Sequence, residues 1–137
     1  DRARFEERTK RLVAQYDSYE AVPGQHLNGQ LTLGENIGDL GGLTFAYEAY
    51  HLSLGAQEAP VIDGLSGDQR FFLAWAQAWR TKYRDEVLTY LVKSDTHSLN
   101  PFRVNGVVRN LDAWYTAFEV TPGQALYLAP AERVRIW

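Results

Sequence analysis

The sequence predicts a mainly α-helical protein. Apolar and aromatic residues recur at three- and four-residue intervals in several segments, as they do on the buried face of a helix. No segment has a convincing alternation of apolar and polar residues, which would indicate a strand. The chain has 137 residues, of which 45% are hydrophobic. That length predicts a single domain, residues 1–137, with enough apolar surface for a core.

The first helix is predicted over residues 2–19, where five apolar and aromatic side chains lie at helical intervals among charged ones. Pro23-Gly24 ends it, and residues 25–33 are expected to be irregular. A second helical pattern covers residues 33–52. Glycine and proline then recur through residues 53–67, which indicates a loop.

The second half of the sequence predicts shorter elements. A third helix is expected over residues 68–83, where aromatic residues recur, and a short one over residues 85–91. Residues 93–106 contain proline and many polar residues, so extended or looped backbone is expected there. Asn110 suits the N-cap of a last helix over residues 111–118, after which the chain continues as a loop.

Composition excludes several classes of function. The net charge is −3, so no general electrostatic attraction to nucleic acid is expected. The absence of cysteine excludes disulfides and thiolate metal sites. No apolar run is long enough for a membrane span. The compartment stays open, although a periplasmic or otherwise exported location is favoured over the cytoplasm. The chain has no methionine and opens within a helical pattern, which suggests a piece of a larger protein.

Two carboxylates and a set of glycines distinguish the second predicted helix. Glu35 and Asp39 are four residues apart, so both side chains leave the same helix face. Gly34, Gly38 and Gly42 form the adjacent stripe. Each glycine lowers helix stability by up to about 1 kcal/mol relative to alanine, so a stripe of them indicates a close neighbour. Carboxylates that face a crowded neighbour require a cation or hydrogen-bond donors, and a metal ion is one such cation.

A simpler interpretation explains the same residues. Thr32 and Glu35 have the spacing of a capping box, so helix capping accounts for Glu35 as well as metal ligation does. Asp39 lies beyond the first turn, where an acid on a helix surface is the ordinary interpretation.

A second polar concentration contains Asp95, His97 and Arg103. On extended backbone, Asp95 and His97 would point to one side. A carboxylate beside an imidazole orients it, and such a histidine can stabilise an oxyanion, act as a general acid or bind metal. The guanidinium of Arg103 is suited to a carbonyl or carboxylate oxygen. Ordinary loop chemistry remains the alternative, with Asp95 capping a turn and Arg103 paired with a nearby acid.

Four motifs, in their order along the chain, resemble the neprilysin and endothelin-converting-enzyme family of zinc metalloendopeptidases, and its bacterial endopeptidase O members most of all. These motifs are Asn28-Gly29-x-Leu31-Thr32-Leu33-Gly34-Glu35-Asn36-Ile37-x-Asp39-x-Gly41-Gly42, Phe71-Phe72-Leu73-x-x-Ala76-Gln77-x-Trp79, Asp95-x-His97-Ser98 and Phe102-Arg103-Val104-Asn105-Gly106. The closing Arg135-x-Trp137 is also similar. The resemblance implies a thermolysin-like, or gluzincin, catalytic domain, of which this chain is the C-terminal helical subdomain.

The resemblance also implies a role for individual residues. Glu35 would be the third zinc ligand, and Asp39 would orient a zinc-bound histidine. His97 would donate to the tetrahedral oxyanion, with Asp95 positioning it.

Two further residues would contact the substrate. Arg103 would hold a backbone carbonyl of the peptide, and Trp79 would help to line the pocket for the residue after the scissile bond.

The family's His-Glu-x-x-His helix, with two zinc ligands and the general base, is absent from this sequence. The chain is therefore expected to be a C-terminal fragment of a catalytic domain that does not hydrolyse oligopeptides alone. Its expected partners are the missing N-terminal part of that domain and, through exposed apolar surface, a second copy of itself.

Two other functions remain open. The chain could be a noncatalytic helical binding module derived from the same family. A self-contained metal site of Glu35, Asp39 and His97 is the less favoured possibility, because these residues belong to distant segments.

Overall fold

The computed structural model describes residues 1–137 and confirms the mainly helical prediction. Six helices are present: α1 (Arg2–Asp17), α2 (Leu33–Leu54), α3 (Gly67–Ala78), α4 (Asp85–Ser94), α5 (Asn100–Val108) and α6 (Asp112–Phe118). One hairpin joins β1 (Glu20–Val22) to β2 (Gln25–His26). No helix combines the length and the apolar character needed to traverse a lipid bilayer.

A single cluster of buried apolar side chains draws on every helix but α6, on the residue that precedes α6 and on the C-terminal segment. It consists of Leu12, Tyr16, Leu27, Leu40, Leu43, Phe72, Val92, Leu99, Val107, Val108, Leu111, Val134 and Ile136. Helix α2 runs beside α1 and α5, while α3 packs on α5 and α6. The N-terminal half of α2 is thereby fixed against the chain that leads into α5.

Close packing between α1 and α5 depends on one glycine. The side chain of Tyr16 is fully buried, and its ring lies against Gly106 in the last turn of α5. A Cβ atom at Gly106 would be 2.8 Å from Tyr16 Oη and 2.9 Å from Cζ. Burial raises the pKa of the Tyr16 phenol well above its usual range, so the group stays neutral. Gly106 therefore sets how near α5 approaches α1.

The prediction of extended or looped backbone over residues 93–106 is wrong for most of that range. Helix α4 continues to Ser94, and α5 begins at Asn100. Pro101 occupies the first turn of α5, where no backbone N–H is needed for a helical hydrogen bond. The proline that suggested a loop therefore begins a helix, and only residues 95–99 are non-helical.

Smaller differences concern the ends of elements. Helix α3 ends at Ala78, five residues before the predicted end, and residues 20–26 form the hairpin that the sequence pattern did not reveal. Leu111, not Asn110, stands at the N-cap of α6. Asn110 is buried, and its side chain accepts a hydrogen bond from the backbone N–H of Val134 at 2.8 Å.

We expect Gly106→Ala to lower the free energy of unfolding by about 1–3 kcal/mol, because the added methyl group meets a ring that has no space to move. Gly42→Ala is the matched control. It adds a methyl group where no atom lies within 4 Å, so it should stabilise this chain by up to about 1 kcal/mol. Urea unfolding of the 137-residue chain, followed by tryptophan fluorescence, measures both. Equal effects of the two substitutions would contradict the packing described.

Candidate functional site

The predicted site residues meet between the first turns of α2 and residues 95–103. Three pairs of side chains join these two segments: Glu35 with His97, Asn36 with Ser98, and Asp39 with Arg103. The partners are 62 to 64 residues apart in the sequence. Although Glu35 and His97 belong to distant segments, the fold brings these two side chains together, whereas Asp39 pairs with Arg103.

Asp95 and His97 form a compact turn after α4. Oδ1 of Asp95 accepts a hydrogen bond from the backbone N–H of His97 at 2.9 Å and lies 2.8 Å from Nδ1 of the imidazole. The backbone hydrogen bond holds the pKa of Asp95 below its usual range, and the imidazole contributes further. The backbone bends at residues 96–97, so this turn, not extended backbone, brings the two side chains to one side.

The other imidazole nitrogen faces Glu35. Nε2 of His97 is 3.2 Å from Oε2 of Glu35, and both side chains are nearly half exposed. Only a protonated imidazole can donate from both nitrogens to the two carboxylates. The imidazole is thus oriented from behind by Asp95 and presents Nε2 at the surface of the site.

Asp39 and Arg103 form a bidentate ion pair. Nε and Nη2 of Arg103 donate to the two carboxylate oxygens of Asp39 at 2.6 and 2.7 Å, and both side chains are largely buried. The hydrogen bonds to Asp39 raise the pKa of Arg103, although burial opposes this. The indole ring of Trp79 lies 3.8 Å from the guanidinium carbon. The interpretation of Arg103 as paired with a nearby acid is therefore confirmed, and the acid is Asp39.

The capping-box interpretation of Glu35 is wrong. Thr32 stands at the N-cap of α2, but its side chain makes no capping hydrogen bond. Its hydroxyl donates instead to the backbone oxygen of Asn28 at 3.0 Å. Glu35 is left with His97 as its partner.

The glycine stripe of α2 has no close neighbour within this chain. Added Cβ atoms at Gly34, Gly38 and Gly42 would meet nothing within 4 Å, and all three residues are exposed. The predicted close approach to this stripe is not found among residues 1–137.

A cavity of about 340 Å³ adjoins the site. Trp79, Asp95, His97 and Arg103 contribute to its lining, so the structure brings four predicted site residues to one recess. The indole nitrogen of Trp79 is buried and has no hydrogen-bond partner.

The acids and histidines of the site do not form a three-residue group of metal ligands in this structure. No three histidine, aspartate or glutamate side chains gather as a metal-binding group. Both oxygens of Asp39 accept hydrogen bonds from Arg103, which leaves the Glu35 carboxylate as the acid most available to a cation. Chemically, the arrangement offers one carboxylate, one oriented imidazole and one guanidinium beside an open recess.

Sequence reasoning missed Asn36 and Ser98, which join the two segments beneath the site. Each follows a predicted site residue directly, and both are polar. Their burial, which gives them importance, could not be read from their neighbours in the sequence.

Comparison with known proteins gives consistent results. A sequence model of peptidase family M13 matches residues 1–134. Neprilysin of Homo sapiens is 39% identical over 139 aligned residues, which cover 97% of this chain and 18% of neprilysin.

Two solved structures share the fold. The zinc metalloprotease Zmp1 of Mycobacterium tuberculosis, solved with an inhibitor, matches 100% of this chain at 54% identity and a TM-score of 0.97. PepO of Lactobacillus rhamnosis matches 99% at 34% identity and a TM-score of 0.82. The matched part is 22% and 20% of those chains, so this chain spans about a fifth of the length of its relatives.

We expect Asp39→Asn to lower the free energy of unfolding by about 2–4 kcal/mol, because it removes the carboxylate that pairs with the largely buried guanidinium of Arg103. The value lies slightly below that of a fully enclosed pair, since Arg103 borders the cavity. Glu6→Gln is the control, because its pair with Arg2 is exposed and should contribute less than about 1 kcal/mol. Chemical denaturation of both variants tests this, and similar losses would refute a special role for the buried pair.

Proposed function

Because this chain belongs to peptidase family M13, we propose that it is the C-terminal part of the catalytic domain of a zinc metalloendopeptidase that cleaves oligopeptides. The observation that carries the proposal is the contact of Glu35 with His97, since it places a candidate zinc ligand beside an imidazole that Asp95 orients. In peptide-bond hydrolysis, a carboxylate can hold the metal ion that activates water, and an oriented imidazole can donate to the reacting oxygen.

Glu35 is the proposed zinc ligand. Catalytic zinc sites combine three protein ligands from histidine and acidic residues with one open position. The Glu35 side chain is nearly half exposed, and its only polar side-chain contact is with His97, so its donor set fits that requirement in part. The remaining protein ligands would come from the part of the domain that precedes this chain. Bound zinc would polarise the scissile carbonyl and lower the pKa of a bound water molecule.

His97 is the proposed oxyanion donor. Asp95 keeps Nδ1 engaged, so Nε2 is the nitrogen available to a substrate oxygen. A positioned donor acts when negative charge develops on the carbonyl oxygen, and it needs no reorganisation at that moment.

Arg103 and Trp79 are proposed to bind the substrate. Asp39 occupies Nε and Nη2 of Arg103, which leaves Nη1 free to donate to a backbone carbonyl of the peptide. The indole of Trp79 supports the guanidinium and lines the cavity in which the residue after the scissile bond would lie. Asp39 is proposed to orient a zinc-bound histidine as well, since each carboxylate oxygen can accept more than one hydrogen bond.

This chain, without the rest of the domain, should not hydrolyse peptides. Two zinc ligands and the general base would be supplied by the N-terminal part of the domain. Large apolar side chains such as Phe45 and Leu52 are 55% and 82% exposed on α2, which supports a covering partner or a dimer of this fragment. The expected location of the enzyme remains periplasmic or otherwise exported.

We expect Glu35→Gln, introduced into the complete enzyme, to lose bound zinc on dialysis, because a neutral amide replaces the anionic ligand. Glu48→Gln, an exposed acid on the same helix, is the control and should retain zinc. Atomic absorption gives the metal content of each variant. Zinc retained at parent level by Glu35→Gln would remove Glu35 from the ligand set.

We expect His97→Ala to keep its zinc and to lower kcat on an oligopeptide by about 100-fold or more, because one oxyanion donor is lost. His26→Ala, at the exposed hairpin, should retain full activity. Steady-state kinetics with a fluorogenic peptide compares the two. If the complete parent protein neither binds zinc nor cleaves peptides, the noncatalytic binding module becomes the better explanation.

A further inference from the structure

A buried hydrogen bond joins the residues that directly follow Glu35 and His97. The hydroxyl of Ser98 donates to Oδ1 of Asn36 at 2.8 Å. Ser98 is 2% exposed and Asn36 is 1% exposed. This hydrogen bond joins two buried side chains that are 62 residues apart in the sequence, whereas the buried hydrogen bond between Asn36 and Thr32 is local.

The acceptor is itself fixed by a chain of donors. Nδ2 of Asn36 donates to Oγ1 of Thr32 at 2.9 Å, and the Thr32 hydroxyl donates to the backbone oxygen of Asn28 at 3.0 Å. The donors thus run in series from Ser98 through Asn36 and Thr32 to the backbone oxygen of Asn28. The amide of Asn36 therefore cannot rotate without leaving buried polar atoms unsatisfied, which is costly.

The geometry of the two segments explains why these particular neighbours matter. Consecutive side chains on a helix leave the axis about 100° apart, so Asn36 points inward while Glu35 remains at the site surface. In the other segment, Ser98 is likewise buried while the neighbouring His97 is nearly half exposed. One pair of residues forms the site, and the adjacent pair holds the backbone beneath it.

We infer that Ser98 and Asn36 are positioning residues that set the location of the His97 imidazole relative to Glu35. We call the side chains of Ser98, Asn36 and Thr32 the buried tether. The inference rests on the proposed function, because it gives the buried tether a role in placing the oxyanion donor.

The other contacts of His97 cannot fulfil this role. Asp95 belongs to the same turn as His97 and moves with it. Glu35 would be engaged by zinc in the working enzyme, so its contact with the imidazole would not anchor the turn. The next firm attachment to α2 is the Arg103–Asp39 pair, six residues further along. The Ser98 hydroxyl is therefore the nearest fixed point for the His97 backbone.

The test is a double-mutant cycle in the complete zinc-loaded enzyme. Ser98→Ala should lower kcat by about 10- to 100-fold at nearly unchanged KM, because a small displacement of a catalytic group is expensive in rate. Ser53→Ala, which removes an exposed hydroxyl, is the control and should have no effect. In the His97→Ala background, Ser98→Ala should change kcat less than about twofold, since the two residues act through one group.

Independent effects of the two substitutions would overturn the inference, because a purely structural role would reduce kcat by the same factor in both backgrounds. Full activity of Ser98→Ala would overturn it equally.

A second measurement separates this inference from the proposed function. If His97→Ala itself retains full turnover, the proposed role of His97 fails, and the cycle no longer reports on the tether. A crystal structure of the Ser98→Ala enzyme still does. Displacement of the imidazole from its position beside Glu35 supports the tether, and an unmoved imidazole rejects it.

Discussion

The ion pair between Asp39 and Arg103 is the interaction on which the rest of the site depends. It joins the second turn of α2 to the first turn of α5, with two short hydrogen bonds in a largely buried setting. Removing two charges from water is costly, and the paired geometry and the indole of Trp79 help to compensate for it. The register of α5 against α2 is therefore tightly specified, and the turn that carries His97 is held within a few residues of that junction.

Helix α2 serves as a scaffold because successive residues leave it in different directions. Glu35 faces His97, Asn36 points into the interior, and Asp39, one turn later, receives Arg103. One short stretch of helix thus provides a candidate ligand, an anchor and a counter-ion. Shifting this stretch by one residue would misplace all three, which explains why the polar residues are concentrated so closely.

The sequence predicted the helices of the core well, because periodic apolar residues are a local signal. It failed at α5, where Pro101 was interpreted as a helix breaker although a first-turn proline is compatible with a helix. It also failed to identify Asn36 and Ser98. Their importance comes from burial against each other across 62 residues, which no local pattern encodes. The close neighbour predicted for the glycine stripe is not found among residues 1–137.

The glycines of α2 make the site and the helix fold as one unit. Gly34, Gly38, Gly41 and Gly42 all fall within the first ten residues of α2, and each lowers intrinsic helix stability by up to about 1 kcal/mol. Order in this stretch must therefore come from tertiary contacts, with α1 and α5 as well as with residues 95–103, more than from its own propensity. Residues 33–42, which include Glu35, are therefore not expected to keep their arrangement on an unrelated scaffold. Without the partner segment they would not form the helix that orients their side chains.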